Sequence, residues 1–325
     1  MIKALLLIYA IWGFNWVAMK EATLFFPPVL FACYRFAVGA AILLAVNAWL
    51  KLPLPPRRYW KWIALTGLLQ IAGNNAAMQM GIKDLDAGLV AVLNYSMPVW
   101  VAILAHFFLN EKLTKRKALG VVVSMIGLVI LMHIDSLGNA SSLFITIGGA
   151  ISWAVANVVI KYQNSRLKGK DCNMIQYTAW QMTIGSIILF VYTSCMETGQ
   201  VHWTPMAVAC LAYNGILASA LAFFLWNYVL TCMEASKASI AVLAVPVVGV
   251  VCGILFLGER LYVSTAAGMV LILAGRTQSP CPHGFIAQNR NNTEHIRAYV
   301  KPLYSNCYKN SYSCASHNMT EPRLL

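Results

Sequence analysis

Long apolar stretches separated by short polar clusters fill the first 275 residues of this chain. A helix needs about twenty apolar residues to cross a bilayer. The pattern therefore predicts helices over 2–19, 28–50, 60–82, 87–109, 117–134, 142–160, 175–195, 205–231 and 238–257. A tenth apolar run starts at Leu261 and ends after Gly275, too short to span alone. Lys3 ahead of the first run gives it the look of a secretory leader. No small-x-small cleavage pattern follows, however, and Lys20-Glu21 leads into another apolar stretch, so it reads as a retained helix.

Composition agrees with a membrane protein. Of 325 residues, 59% are hydrophobic and 11% charged, and the mean hydropathy is +0.65; a soluble domain carries roughly a quarter of its residues charged. The net charge of +13 would fit a nucleic-acid binder. The bases lie in short loops beside apolar runs, though, which is how a membrane protein is oriented. With the N-terminus in the cytoplasm, the inner loops hold fourteen Lys and Arg residues and the outer loops three, Lys20, Lys83 and Arg260. The nine cysteines show no metal-binding or disulfide spacing, and several, such as Cys33 and Cys210, sit inside apolar runs as small hydrophobes.

The chain also repeats itself. Pro98 is followed by Asn110-Glu111-Lys112-Leu113 and then Gly120, and Pro246 by Gly258-Glu259-Arg260-Leu261 and then Gly268 at the same spacing. Trp12 precedes Lys20 as Trp153 precedes Lys161. These echoes divide the chain into repeats over 1–134 and 142–275, with five helices each. An odd number of helices inverts the second repeat relative to the first, the arrangement many carriers use for alternating access. Residues 276–325 carry six bases, two acids, three cysteines and no helical period. They read as an atypical, disordered tail foreign to the repeat.

Trp12-Gly13 with Lys20, Tyr34-Arg35-Phe36, Ala91-Val92-Leu93-Asn94-Tyr95 with Pro98, Leu109 to Leu113, and the copies at Pro246 and Leu257 to Leu261 give the chain a specific resemblance. It resembles the EamA-type members of the drug/metabolite transporter superfamily, over roughly residues 3–275. The resemblance implies an all-α membrane protein of ten transmembrane helices, both termini cytoplasmic, moving small metabolites, often outward. On that basis the chain is expected to be a multi-pass carrier of the bacterial cytoplasmic (inner) membrane that exports amino acids or similar compounds. An importer, a drug-efflux carrier and a non-transporting scaffold or sensor are the alternatives. The expected partners are a small-molecule substrate and the lipid bilayer, with no nucleic acid.

No metalloprotease, phosphate-loop or serine-hydrolase motif occurs, so no enzyme chemistry, cofactor or metal is expected. Pro98 and Pro246 each remove a backbone donor inside an apolar helix, which makes them hinge candidates or simple kinks. Glu111 and Glu259 fall at helix ends beside bases, as structural interfacial pairs do. Arg35 and His106 read as the buried ionisable side chains of the spans, His106 either coupling transport to protons or merely packing. Asn15, Arg35, Asn75, Asn94 and Asn214 lie about four residues outward of their helix midpoints, hence ~6 Å above the midplane. Such a polar layer either faces a cavity or bonds helix to helix. The cavity reading takes Trp12, Tyr95, Trp153 and Tyr213 as the aromatic side of a substrate site and Arg35 as a carboxylate holder.

Overall fold

The computed structural model describes residues 1–85, 87–131, 139–167, 172–257 and 262–277. They form ten helical rods: α1 (Ile2–Ala22), α2 (Pro28–Trp49), α3 (57–84), α4 (87–109), α5 (Lys115–Leu131), α6 (Ala140–Leu167), α7 (Met174–Met196), α8 (205–232), α9 (235–257) and α10 (Val263–Thr277). No strand occurs among the described residues. Among them, seven rods are long and apolar enough to cross a membrane, and α10 adds a shorter apolar helix. This is an all-α membrane protein. The described residues among 1–47 and 53–277 make one compact body. The described part of the second unit, 48–52, is the end of α2 and the turn after it, where Lys51 takes a φ of 51°.

Local chemistry sets the rod ends. Pro205 opens α8, with Thr204 Oγ1 accepting from Ala207 N at 3.1 Å; Asn173 Oδ1 accepts from Ile175 N at 3.0 Å to open α7. Both satisfy amides that a helix start leaves unpaired. Two further starts are capped from across the fold. Glu197, after α7, accepts from Val29 N and Leu30 N at 3.1 and 2.7 Å. Glu111, after α4, accepts from Ala235 N and Ser236 N at 2.7 and 3.1 Å and from Ser236 Oγ. A carboxylate is the favoured group at the positive end of a helix.

Four rods are interrupted. In α3 a π-helical turn, Gly67–Gly73, separates Arg57–Thr66 from Asn74–Asp84. In α8 the π segment is Tyr213–Leu221, and Leu221 lies as far beyond Gly73 as Pro246 lies beyond Pro98. The wider π turn displaces carbonyls from their helical partners, and lipid offers no water to replace them. Side chains supply the donors: Ser152 Oγ to Leu69 O at 2.8 Å, Asn75 Nδ2 to Ile71 O at 2.9 Å, and Trp12 Nε1 to Ala218 O at 3.0 Å. In α4 the helix Ala87–Asn94 breaks before Met97–Leu109, and in α9 Ala235–Val242 breaks before Ala244–Leu257. Pro98 and Pro246 thus open the second segments instead of kinking continuous helices. Having no N–H, they leave Asn94 O and Val242 O, four residues back, without a helical donor.

α10 spans fifteen residues, or roughly 22 Å, short of the ~30 Å hydrocarbon core. It lies flush against α5. A Cβ on Gly127 would stand 2.7 Å from Gly268 O, and one on Gly268 2.8 Å from Leu131 N, so only glycines allow the approach. The expected tail falls, from residue 278 on, outside the described residues.

Candidate functional site

Seven of the nine predicted site residues meet. Trp12 and Asn15 from α1, Arg35 from α2, Asn75 from α3, Asn94 and Tyr95 from α4 and Trp153 from α6 line one cavity of about 80 Å³. The π turn of α3 and the break in α4 place three of them: Asn75 is the second residue past the turn, and Asn94 and Tyr95 stand at the break ahead of Pro98. Trp12 and Trp153 meet edge to face, with centroids 6.1 Å apart, and Trp12 meets Phe223 in the same way at 5.4 Å.

The polar lining is partly committed. Arg35 Nη2 donates to Asn75 Oδ1 at 2.6 Å, and the guanidinium lies 4.4 Å from the Phe36 ring centroid. Asn74 Nδ2 donates to Asn94 Oδ1 at 2.6 Å and to Gly149 O at 3.1 Å. Among the described residues no carboxylate lies within ion-pair distance of Arg35, and Asn15 Oδ1 and Trp153 Nε1 are buried without a hydrogen-bond partner. A buried cation, an unused donor and an unused acceptor are each costly in an apolar interior. Together they offer a solute a carboxylate partner, a hydrogen-bond donor and an acceptor, with aromatic and thioether surface beside them.

Three expectations need correction. Tyr213 and Asn214 do not line the cavity: Tyr213 Oη donates to Ile11 O at 2.8 Å, and Asn214 Nδ2 to Cys210 O at 3.0 Å within its own rod. Asn214 is the second residue of the π segment, and its amide turns back onto the preceding turn of its own rod. His106 is not buried; it is exposed in the last turn of α4, with Nδ1 3.1 Å from Glu111 O. Glu111 itself is a helix cap, whereas Glu259 lies outside the described residues.

Sequence reasoning missed Asn74, Met19, Met78 and Phe223 on the lining. The Asn74-Asn75 pair in an apolar run was the available signal; depth counting kept only one of the two. It also missed a fully buried amide cluster below the cavity. Asn157 Oδ1 accepts from Gln70 Nε2 at 3.1 Å and Trp226 Nε1 at 3.0 Å. Gln181 Nε2 donates to Gln70 Oε1 at 2.6 Å, and Asn227 Nδ2 to Gln181 Oε1 at 3.0 Å.

Comparison with known proteins matches residues 1–133 and 140–277 to the EamA-like transporter family. The uncharacterized transporter YoaV of Bacillus subtilis (strain 168) is 33% identical over 271 residues, 82% of this chain and 91% of that protein. A probable amino-acid metabolite efflux pump of Salmonella typhimurium (strain LT2) is 28% identical over 283 residues, covering 83% and 91%. A solved crystal structure superposes with a TM-score of 0.71 at 16% identity, over 85% of this chain and 94% of that one.

Proposed function

Because this chain belongs to the EamA-like transporter family, a family of membrane transporters and not of enzymes, we propose that it exports a small carboxylate-bearing metabolite, such as an amino acid, by alternating access. The observation that carries the substrate class is the central cavity, where Arg35 has no carboxylate within ion-pair distance among the described residues and stands beside the unused groups of Asn15 and Trp153. A monoanion or zwitterion would give Arg35 its counter-ion, and Trp12, Trp153 and Phe223 would pack its apolar part. Outward direction follows the Salmonella relative, described as an efflux pump. The two halves, 1–134 and 142–275, act as inverted repeats in the inner membrane of a bacterium, with the N-terminus in the cytoplasm. Pro98 and Pro246, at the breaks of α4 and α9, serve as the hinges.

Purified protein in proteoliposomes, challenged with a panel of radiolabelled amino acids, monocarboxylates, amines and sugars, tests this reading. Saturable flux of a carboxylate-bearing solute is expected. Flux confined to amines or sugars, or no flux of any kind, would refute it.

A further inference from the structure

A second, wider cavity, of about 430 Å³, opens where α4, α6 and the α8–α9 turn meet, at the base-rich end of the bundle. Lys161 and Arg166 line it, together with Ser165, Glu111 and Glu234. Both carboxylates are already engaged. Glu111 accepts from Ala235 N, Ser236 N and Ser236 Oγ, and Glu234 pairs with Lys117 at 2.5 Å and Lys237 at 2.9 Å. Among the described residues Lys161 Nζ donates to a carbonyl, Thr231 O at 3.3 Å, with the charges of Glu111 and Glu234 acting on it from beyond ion-pair distance, and Arg166 lies 4.9 Å from the Tyr162 ring centroid. Among the described residues neither cation has a carboxylate within ion-pair distance.

The placement along α6 ties this cavity to the central one. Trp153 lines the central cavity, Asn157 holds the amide cluster and Lys161 lines the wide cavity. The three are spaced i, i+4, i+8 and so share one helix face, with Trp153 and Lys161 roughly 12 Å apart along the axis. The Trp–Lys echo in the sequence thus joins the two cavities on one helix, with the amide cluster between them.

We propose that the wide cavity is an anion station, in which Lys161 and Arg166 hold the carboxylate of the transported solute at one mouth of the path, with the amide cluster as the barrier to the central cavity. This rests on the carrier reading above, but its test does not require transport. A thiol introduced by Ser165→Cys is labelled in phosphatidylcholine nanodiscs with anionic sulfonatoethyl and cationic trimethylammonioethyl methanethiosulfonates, and the parent protein's thiols supply the background. The anionic reagent should react about tenfold faster, the lower end of electrostatic focusing. Lys161→Gln with Arg166→Gln should bring the ratio towards one, while the charge-conserving Lys161→Arg keeps it. Millimolar benzoate should protect the thiol, and chloride at equal ionic strength should not. Equal rates for the two reagents, or protection by added phosphatidylglycerol with none by benzoate, would overturn the station; the latter outcome would make the occupant a lipid headgroup. Benzoate protection without carboxylate flux in proteoliposomes would sink the carrier reading and leave the station standing. Flux without protection would sink the station alone.

Discussion

Replacing Arg35 with glutamine separates a binding residue from a structural one by the sign of two effects. Arg35 is 6% exposed, and its described partners are the Asn75 amide oxygen and the Phe36 ring. Glutamine can keep a hydrogen bond to Asn75, so the loss there is at most about 1 kcal/mol. The cation–π contact is worth about 0.5–2 kcal/mol. Against these stands relief of a buried, unneutralised charge, several kcal/mol per ion. Arg35→Gln should therefore leave the melting temperature of purified protein unchanged or raise it. Affinity should move the other way. A charge-assisted hydrogen bond to a carboxylate contributes about 1.5–3 kcal/mol, so Kd should weaken about ten- to a hundredfold. Thermal unfolding in detergent, with scintillation-proximity binding of the best carboxylate from the transport panel, reads both on the same sample. A lowered melting point with an unchanged Kd would refute the reasoning and make Arg35 a packing residue.

Three further outcomes are expected. Gly127→Ala should destabilise by about 1–3 kcal/mol, as overpacking does, because its Cβ would meet the Gly268 carbonyl at 2.7 Å; Gly148→Ala, with nothing within 4 Å of the new Cβ, should cost little. Equal melting points for the two variants would contradict the α5–α10 packing. Burial works to raise the Glu234 pKa, but hydrogen bonds and charge from Lys117 and Lys237 outweigh it and hold it below the usual carboxylate range. Its contribution is then complete above the unfolded-state pKa and lost as pH falls through the folded value, so the melting-point gap between wild type and Glu234→Gln should close in acid; a gap independent of pH would remove the ion pair from the account. Cysteines placed near Arg58, Lys115 and Lys168 should resist impermeant reagents in intact cells while those near Lys83 and Glu197 label, and the reverse pattern would turn the molecule over.

The rods were legible because bilayer thickness sets a minimum length for a span, which seven of them meet among the described residues, and apolar runs report that length directly. Four of the seven cavity residues, Asn15, Arg35, Asn75 and Asn94, were legible for a related reason: an amide or guanidinium in lipid is expensive enough that its depth carries information. Asn214 failed because depth counting tells how far along the axis a residue lies and not which way its side chain faces; at the start of the π turn Tyr213–Leu221 its amide bonds back to Cys210 O instead of entering the cavity. The turn leaves no distinctive composition, since it is stabilised by donors far away in sequence, such as Trp12 on Ala218 O. The prolines marked α4 and α9 as irregular, yet their place at the start of a second segment depends on the breaks at Tyr95-Ser96 and Leu243. His106 read as buried because it interrupts an apolar run; only tertiary packing decides which face of α4 meets protein and which meets lipid.

The central claim is that a solute crosses through the cavity between Trp12, Arg35 and Asn94, and exchange across a sealed membrane tests it most directly. Vesicles preloaded with the unlabelled panel carboxylate should take up the labelled form faster than empty ones, with saturation. Asn15→Trp, which fills the roughly 80 Å³ cavity, should abolish that exchange while the protein still elutes as a folded monodisperse species with a cooperative melt. Undiminished exchange through the filled cavity would contradict the account.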